Sequence, residues 1–298
     1  MVRRASAAAA RRREAALFVV PLLAALAAVA GWPLARTIWL SFTDATLTGG
    51  DHDFIGLANY AFLLEDPDWW RAVRNTLVFA AISVALETAL GLAIALVLDA
   101  QIRLRGVLRA AVLVPWAIPT VVSAQLWAWM LHDQYGVINE VLLAFGLMDA
   151  PRAWLADRTL AMASVIAVDV WKTTPFMVLL LLAALQTVPR ELHEAAMVDG
   201  AGAIRRFLVV TLPAIRPALL VAVIFRTLDA LRIFDLIYVM VGNASATATM
   251  AVYARQHMVD FQDTGYGSAA STVLFAVIAL AAALFIRLGR ITAPPAAR

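Results

Sequence analysis

The sequence predicts an all-α membrane protein with six transmembrane helices and both termini in the cytoplasm. Apolar residues make up 63% of the 298 positions, only 15% are charged, and the mean hydropathy is +0.81. An ordinary soluble domain is about half apolar and about a quarter charged. Six separate stretches are long enough to cross a hydrocarbon core, which needs about 20 helical residues. Hydropathy therefore excludes a water-soluble globule.

The six apolar stretches alternate with polar connections along the chain. We place the spans near residues 16–40, 76–98, 107–131, 159–185, 218–241 and 268–288. They form one transmembrane domain, 15–290, between a mobile cytoplasmic tail, 1–14, and a second cytoplasmic tail, 291–298. Pro115, Pro119 and Pro175 fall inside spans, where neighbouring helices can satisfy the freed carbonyls, so they predict kinked and packed helices.

The first stretch has an alternative interpretation as a cleavable signal peptide. A basic start, an apolar core and the tripeptide Ala28-Val29-Ala30 are typical of such peptides. The apolar sequence continues through Trp32 to Leu40, which makes it longer than a signal-peptide core. A retained spanning helix is therefore favoured.

The distribution of basic residues predicts the orientation. The chain has 24 basic residues. With the N-terminus inside, Lys172, Arg226 and Arg232 lie deep within spans, fifteen basic residues lie on cytoplasmic segments or at the cytoplasmic ends of spans, and six lie on outer segments or at the outer ends of spans, namely Arg36, Arg71, Arg74, Arg152, Arg158 and Arg255. Cytoplasmic segments carry the excess of Lys and Arg in membrane proteins, so both termini are expected inside.

The residue types exclude several kinds of chemistry. There is no cysteine, which excludes disulfides and thiolate zinc sites, and four scattered histidines leave no His-based metal cage. The only lysine, Lys172, follows Asp169-Val170-Trp171 within an apolar span, so the glycine-rich phosphate loop of an ATPase is absent. We therefore expect no catalytic residue, no metal site and no cofactor on this chain.

The longest cytoplasmic connection, residues 186–217, has a distinctive pattern. Glu191 to Val198 predicts a short helix with acids in its first turns, and Asp199-Gly200 predicts its end. A second short helix follows the glycine. The residues alone also allow an amphipathic linker that lies on the membrane surface.

The spacing in this connection resembles the EAA loop of bacterial ABC-importer permeases. Glu194-Ala195-Ala196 is followed by three residues, Gly200, nine residues and then Val210 to Pro213. Four other stretches resemble the carbohydrate-importing, MalF-type branch of that family, and among its members look closest to trehalose and maltose permeases. These stretches are Gly56–Tyr60, Val114–Pro119, Val170–Phe176 and Phe225–Val239.

The resemblance implies an ABC type I importer permease fold in the bacterial inner membrane, with a coupling helix that docks on a separate ATPase subunit. The implied partners are a second, MalG-like permease subunit, two ATPase subunits that bind ATP and magnesium, an extracytoplasmic sugar-binding protein and membrane lipid, with no nucleic acid. The positions that match the coupling motif are Glu194, Ala195, Ala196, Asp199, Gly200, Ala201, Phe207 and Pro213.

Charged residues also lie at membrane depth, where an unpaired central charge costs about 2.5–3.5 kcal/mol. They are Glu87, Asp169, Lys172, Arg226, Asp229, Arg232 and Asp235. Spacings of three predict the pairs Asp169–Lys172, Arg226–Asp229, Asp229–Arg232 and Arg232–Asp235. The lone acid Glu87 is expected to hydrogen-bond to a neighbouring helix. Whether the pairs hold helices together or line a path stays open.

A sugar path needs hydroxyl partners beside aromatic faces. The candidates for such a path are Gln125, Trp129, Thr173, Thr174, Asp229, Arg232, Tyr238 and Asn243. The predicted function is an ATP-driven importer of an α-glucoside disaccharide. The alternatives are an importer of the same architecture for a polyol or glycerol phosphate, an ion-coupled secondary carrier, and, with the least support, an intramembrane enzyme.

Overall fold

The computed structural model describes residues 16–100 and 105–292, and within these ranges it contains helices, turns and two isolated β-bridges but no strand. The predicted tail 1–14 lies outside the described residues. Of the predicted tail 291–298, Ile291 and Thr292 still belong to the last helix, and the remainder lies outside the described residues.

Five described helices are long and apolar enough to cross a membrane, and a bent pair of helices makes a sixth candidate span when the pair is counted as one. The predicted all-α fold with six spans is therefore confirmed. The helices are α1 (Ala16–Leu40), α2 (Ala58–Glu65), α3 (Pro67–Asp99), α4 (Arg105–Ala117), α5 (Thr120–Met130), α6 (Val137–Ala144), α7 (Arg158–Leu185), α8 (Arg190–Val198), α9 (Ala203–Leu231), α10 (Asp235–Val241), α11 (Met250–Arg255) and α12 (Thr264–Thr292).

The third span is sharply broken, whereas the sequence predicts only a kinked helix near 107–131. Helices α4 and α5 meet at an angle of 90°. Pro119 has no N–H to donate and disfavours helical geometry at the residue before it, which is compatible with the end of α4 at Ala117. Pro115 and Pro175, by contrast, lie inside α4 and α7 without ending them.

The fifth span differs in position from the predicted range 218–241. Helix α9 begins at Ala203 and ends at Leu231, and α10 follows as a separate helix. A π-helical turn over Phe207–Thr211 precedes Pro213, so the helix passes the proline without a break. The helix ends at Leu231 because Arg232 and Phe234 have non-helical backbone angles.

The described residues divide into two units. The first contains 16–65 and 254–273. Bridges Thr43–Phe54 and Thr46–Asp263 join its loops, and Asn59 Nδ2 donates to the carbonyls of Ser41 and Thr43 at 3.0 and 2.9 Å. The second unit contains 66–253 and 274–292, apart from the undescribed positions 101–104, and it holds all seven charged residues that the sequence places at membrane depth.

The core of the second unit forms where α3 packs on α7. Gly91 allows the close approach, since a Cβ there would lie 2.7 Å from the Cβ of Met177. Phe79, Val165 and Leu181 are among the side chains that this packing buries completely. The polar end of α3 is tied to the segment before α11, because Asn75 Nδ2 donates to the carbonyls of Ala246 and Ala248.

Candidate substrate path and coupling segment

Three helices each supply one residue to a buried charge cluster. Arg226 of α9 binds Glu87 of α3 through Nε and Nη2, and its Nη2 also binds Asp169 of α7. The side chains of Arg226, Glu87 and Asp169 are 2%, 0% and 3% exposed. We call these three residues the buried charge cluster. Their contacts join α3, α7 and α9 at membrane depth.

The chemistry of this cluster explains why the charges tolerate burial. The planar guanidinium has several N–H donors that suit carboxylate oxygens, and Arg226 uses two of its nitrogens on Glu87. The hydroxyl of Thr173 donates to Glu87 Oε1 at 2.6 Å. Every charge in the cluster therefore has a partner of opposite sign, which is the condition for keeping ionised groups away from water.

The structure tests the predicted pairing of the charges. Glu87 does bind a neighbouring helix, and the pairs Arg226–Asp229 and Arg232–Asp229 are present at 3.3 and 2.9 Å. The predicted pair Asp169–Lys172 is wrong, because Asp169 binds Arg226, while Lys172 Nζ donates to the carbonyl of Ile118 at 2.6 Å.

The predicted Arg232–Asp235 pair is also wrong within the described part of the chain. Helix α9 ends before Arg232, and α10 starts at Asp235, so the two side chains are not one turn apart on a single helix. Arg232 binds Asp229 instead. Spacing along one helix missed the buried charge cluster, because that cluster joins residues 57 and 139 positions apart.

A cavity of about 250 Å³ lies beside the buried charge cluster. Its wall contains aromatic, hydroxyl and charged side chains from α4, α7 and the end of α9, namely Trp116, Thr173, Phe176, Phe225, Arg226, Asp229 and Arg232. Asp229 and Arg232 have 52% and 69% of their side chains exposed. We call these two residues the cavity pair.

The structure brings together some of the predicted path residues and not others. Thr173, Asp229 and Arg232 line the cavity. Thr174 is buried, and its hydroxyl has no hydrogen-bond partner among the described residues. Gln125 and Trp129 lie exposed on α5, outside the wall of this cavity.

Tyr238 and Asn243 also lie outside the cavity wall. The ring of Tyr238 stacks on Phe234 at 5.3 Å, and Asn243 follows the end of α10. Trp116, Phe176 and Phe225 also line the cavity, although none of them was among the residues predicted for the path. Their signal was available, since all three lie in the stretches that carry the family resemblance.

The coupling segment, residues 186–217, contains the first short helix that its sequence predicts, but the predicted second short helix is instead the start of the long helix α9, which begins at Ala203. Helix α8 ends at Val198, and Gly200 has φ +76°. The Gly200 N–H donates to the Met197 carbonyl at 3.0 Å, and the Ala201 N–H donates to the Ala196 carbonyl at 2.9 Å. This bond pattern is a Schellman motif, which favours glycine because a left-handed residue is needed.

Two apolar side chains of the coupling segment are strongly exposed. Val198 is 88% exposed and Ile204 is 79% exposed, on either side of the glycine turn. Glu194, Ala195, Asp199 and Pro213 are exposed, whereas Ala196, Ala201 and Phe207 are half-buried. A surface of this kind commonly marks a protein or membrane contact.

Sequence comparison identifies the family. Residues 87–291 match the family described as the binding-protein-dependent transport system inner membrane component. The chain belongs to this family. It is therefore an inner-membrane transport subunit and not an enzyme, and the ABC-permease resemblance found in the sequence is confirmed.

Curated relatives are similar over nearly the whole chain. The trehalose/maltose transport system permease protein MalF of Thermococcus litoralis is 40% identical over 275 residues, covering 92% of each chain. The trehalose transport system permease protein SugA of Mycobacterium tuberculosis is also 40% identical, covering 93% of this chain and 89% of that protein. The sulfoquinovosyl glycerol transport system permease protein SmoG of Agrobacterium fabrum is 39% identical, with 92% and 89% covered.

A solved structure shares the fold. It is the crystal structure of a bacterial ABC transporter involved in the import of the acidic polysaccharide alginate, with a TM-score of 0.85 and 21% identity. The alignment covers 98% of this chain and 100% of that one. The fold expected from the resemblance, that of an ABC importer permease, is confirmed.

Proposed function

We propose that this chain is one of two permease subunits of an ATP-driven importer that carries a neutral disaccharide of the α-glucoside type, such as trehalose or maltose. The observation that carries the proposal is the cavity at membrane depth, where the cavity pair stands beside aromatic rings. Two relatives with 40% identity are named for trehalose or trehalose/maltose transport, which supports the same substrate class here.

The wall of the cavity suits a sugar. Trp116, Phe176 and Phe225 offer apolar faces for the C–H surface of a pyranose ring. The cavity pair offers a carboxylate that accepts and a guanidinium that donates hydrogen bonds to hydroxyl groups. A few polar groups among aromatic ones are typical of small-molecule sites.

The charges of the wall favour an uncharged substrate. Arg226 is bound by two buried carboxylates, and Arg232 is bound by Asp229. Both guanidinium groups of the wall therefore already have carboxylate partners, whereas a phosphate or sulfonate would need a guanidinium free to pair with it. A neutral sugar therefore suits this wall better than glycerol phosphate does.

An anionic sugar is the second candidate. The relative from Agrobacterium fabrum is named for sulfoquinovosyl glycerol, whose sulfonate is negatively charged. Arg232 is the side chain that would bind such a group, because it is 69% exposed and Asp229 is its only carboxylate partner in the described chain. The charge of the substrate separates the two candidates.

The proposed topology places both termini and the coupling segment in the cytoplasm, as the arginine distribution predicts. The exposed apolar surface on both sides of Gly200 then supplies the contact with an ATPase subunit, and Glu194 is available to pair with a basic residue. Two such subunits bind the ATP and magnesium. A second permease subunit completes the path, and an extracytoplasmic binding protein delivers the sugar.

Uptake by the reconstituted complex tests the substrate. Vesicles that contain the complete transporter, with its binding protein, should accumulate labelled trehalose or maltose only when ATP is present. Excess unlabelled neutral disaccharide should compete, and sulfoquinovosyl glycerol or glycerol phosphate should not. If sulfoquinovosyl glycerol competes and the neutral disaccharides do not, the neutral-sugar proposal fails and the anionic sugar becomes the proposed substrate.

Two valine substitutions test the coupling role. Gly200→Val forces a β-branched residue into a left-handed conformation that costs roughly 1–2 kcal/mol, too little to unfold six spans. Gly202→Val is the matched control, because Gly202 also has open space but an ordinary φ of −66°. We expect only Gly200→Val to reduce the number of ATPase subunits that copurify. Equal assembly and equal stimulated ATP hydrolysis in both variants would contradict the coupling role.

A further inference from the structure

The break in the third span leaves a backbone carbonyl that needs a partner. Helix α4 ends at Ala117, and α5 begins at Thr120 after a bend of 90°. The carbonyl of Ile118 lies between the two helices. A backbone group without a partner is costly at membrane depth, where no water replaces the lost hydrogen bond.

Lys172 of α7 supplies that partner. Its Nζ donates to the Ile118 carbonyl at 2.6 Å, and the residue is only 7% exposed. Lys172 is the only lysine of the chain. A buried ammonium is costly at membrane depth unless it has a hydrogen-bond partner, and the Ile118 carbonyl at the break supplies that partner.

The same stretch of α7, residues 171–176, also contacts both helices of the bent span, α4 and α5. Trp171 meets Trp127 of α5 edge to face, with ring centroids 5.4 Å apart. Phe176 stacks on Trp116 of α4 with centroids 6.5 Å apart. Residues 171–176 therefore contact α5, the break and α4.

We propose that Lys172 is a positioning residue that holds the bend of the third span and thereby places Trp116 in the wall of the cavity. Trp116 is the wall residue that α4 contributes, so a change in the bend moves one side of the cavity. The consequence for sugar affinity rests on the proposed function, whereas the bend itself can be measured without any transport.

The distance between spin labels on α4 and α5 measures the bend directly. The chain has no native cysteine, so Leu108→Cys and Leu126→Cys, both at exposed positions, can be labelled selectively in the assembled complex. At a rise of 1.5 Å per residue, the backbone separation is about 19 Å for a right-angle bend and about 27 Å for a straight helix.

We expect Lys172→Met to shift this distance towards the longer value, and Lys172→Arg, which keeps a cationic donor, to restore the shorter one. In uptake, Lys172→Met should raise the half-saturating sugar concentration several-fold, with a smaller change in maximal rate per inserted subunit, and Lys172→Arg should reverse it. An unchanged distance in Lys172→Met would overturn the proposal, and so would a lengthened distance with unchanged sugar affinity.

A second variant covers the case in which Lys172→Met fails to insert. Pro119→Ala restores the missing backbone N–H but leaves the lysine in place, so the short distance should persist. A straight span in Pro119→Ala would show that the proline alone makes the bend, which overturns the proposal. If the wild-type complex takes up no sugar, the proposed function fails, yet the distances still decide the role of Lys172.

Discussion

Arg226 and Arg232 lie six residues apart, the first in the last turns of α9 and the second immediately after it, yet their surroundings are opposite. The side chain of Arg226 is 2% exposed and binds carboxylates from two other helices. That of Arg232 is 69% exposed and binds Asp229, which lies three residues earlier in the chain. A charge at membrane depth can therefore hold helices together or face a cavity. A charge that holds helices together has its partners on other helices, whereas the charge that faces the cavity has a partner close to it in the chain.

Arg226→Met should produce the largest effect, because it leaves Glu87 and Asp169 buried without a counter-charge. Removing one partner of a buried ion pair costs about 3–5 kcal/mol. We expect a large loss of folded subunit in the membrane and a lower unfolding temperature in detergent.

Arg232→Met is the matched control for that experiment. The substitution is the same in both variants, but the ion pair of Arg232 is exposed, so the unfolding temperature of Arg232→Met should stay close to that of the wild type. Equal unfolding temperatures for the two variants would contradict the structural role of the buried charge cluster.

Glu87→Gln should have a smaller effect. The amide keeps an oxygen that accepts from Thr173, but it loses the charge that faces Arg226. Hydrogen bonds to charged groups contribute about 1.5–3 kcal/mol, so we expect destabilisation of that order, below that of Arg226→Met. Thermal unfolding checks this order, and an effect larger than that of Arg226→Met would reverse our assignment of the central residue.

Asp229→Asn and Arg232→Gln should change transport rather than stability. Exposed ion pairs contribute about 0–1 kcal/mol, so both variants should reach normal abundance. We expect each to lower sugar uptake at equal abundance, because each changes a hydrogen-bonding group in the cavity wall. Normal uptake in both variants would remove the cavity pair from the path.

An exposed acid outside the spans should give the smallest effect. Asp157 precedes α7, and hydrogen bonds from the backbone N–H groups of Leu160 and Thr159 hold its pKa below the ordinary range. Its stabilising contribution is therefore present above the unfolded pKa of about 3.9 and is lost as the pH falls through the lower, folded value.

Asp157→Ala tests that dependence against the wild type. The difference in unfolding temperature between them should be constant near neutral pH and should shrink in acid. Asp157→Asn, which still caps the helix, should differ less from the wild type. A difference that grows in acid would show that the lowered pKa has been misassigned.

The sequence predicted the features that depend on local pattern. Hydropathy predicted the spans, and the Asp199-Gly200 pair predicted the end of α8. The sequence did not predict the partner of Asp169, because helical spacing points to Lys172, three residues away, whereas the actual partner, Arg226, lies on another helix. It also missed the sharp break at Pro119, because proline in a span permits either a kink or a break, and the Lys172 contact with Ile118 is tertiary.

Sugar protection of a cysteine in the cavity wall tests the central claim most directly. Phe225→Cys introduces a thiol at a wall position that is 61% exposed, and Phe261→Cys is a control of 60% exposure outside that wall. In the assembled transporter with its binding protein, trehalose or maltose should slow maleimide labelling at residue 225 and leave residue 261 unchanged. Equal labelling rates at residue 225 with and without these sugars would contradict the assignment of this cavity to the sugar path.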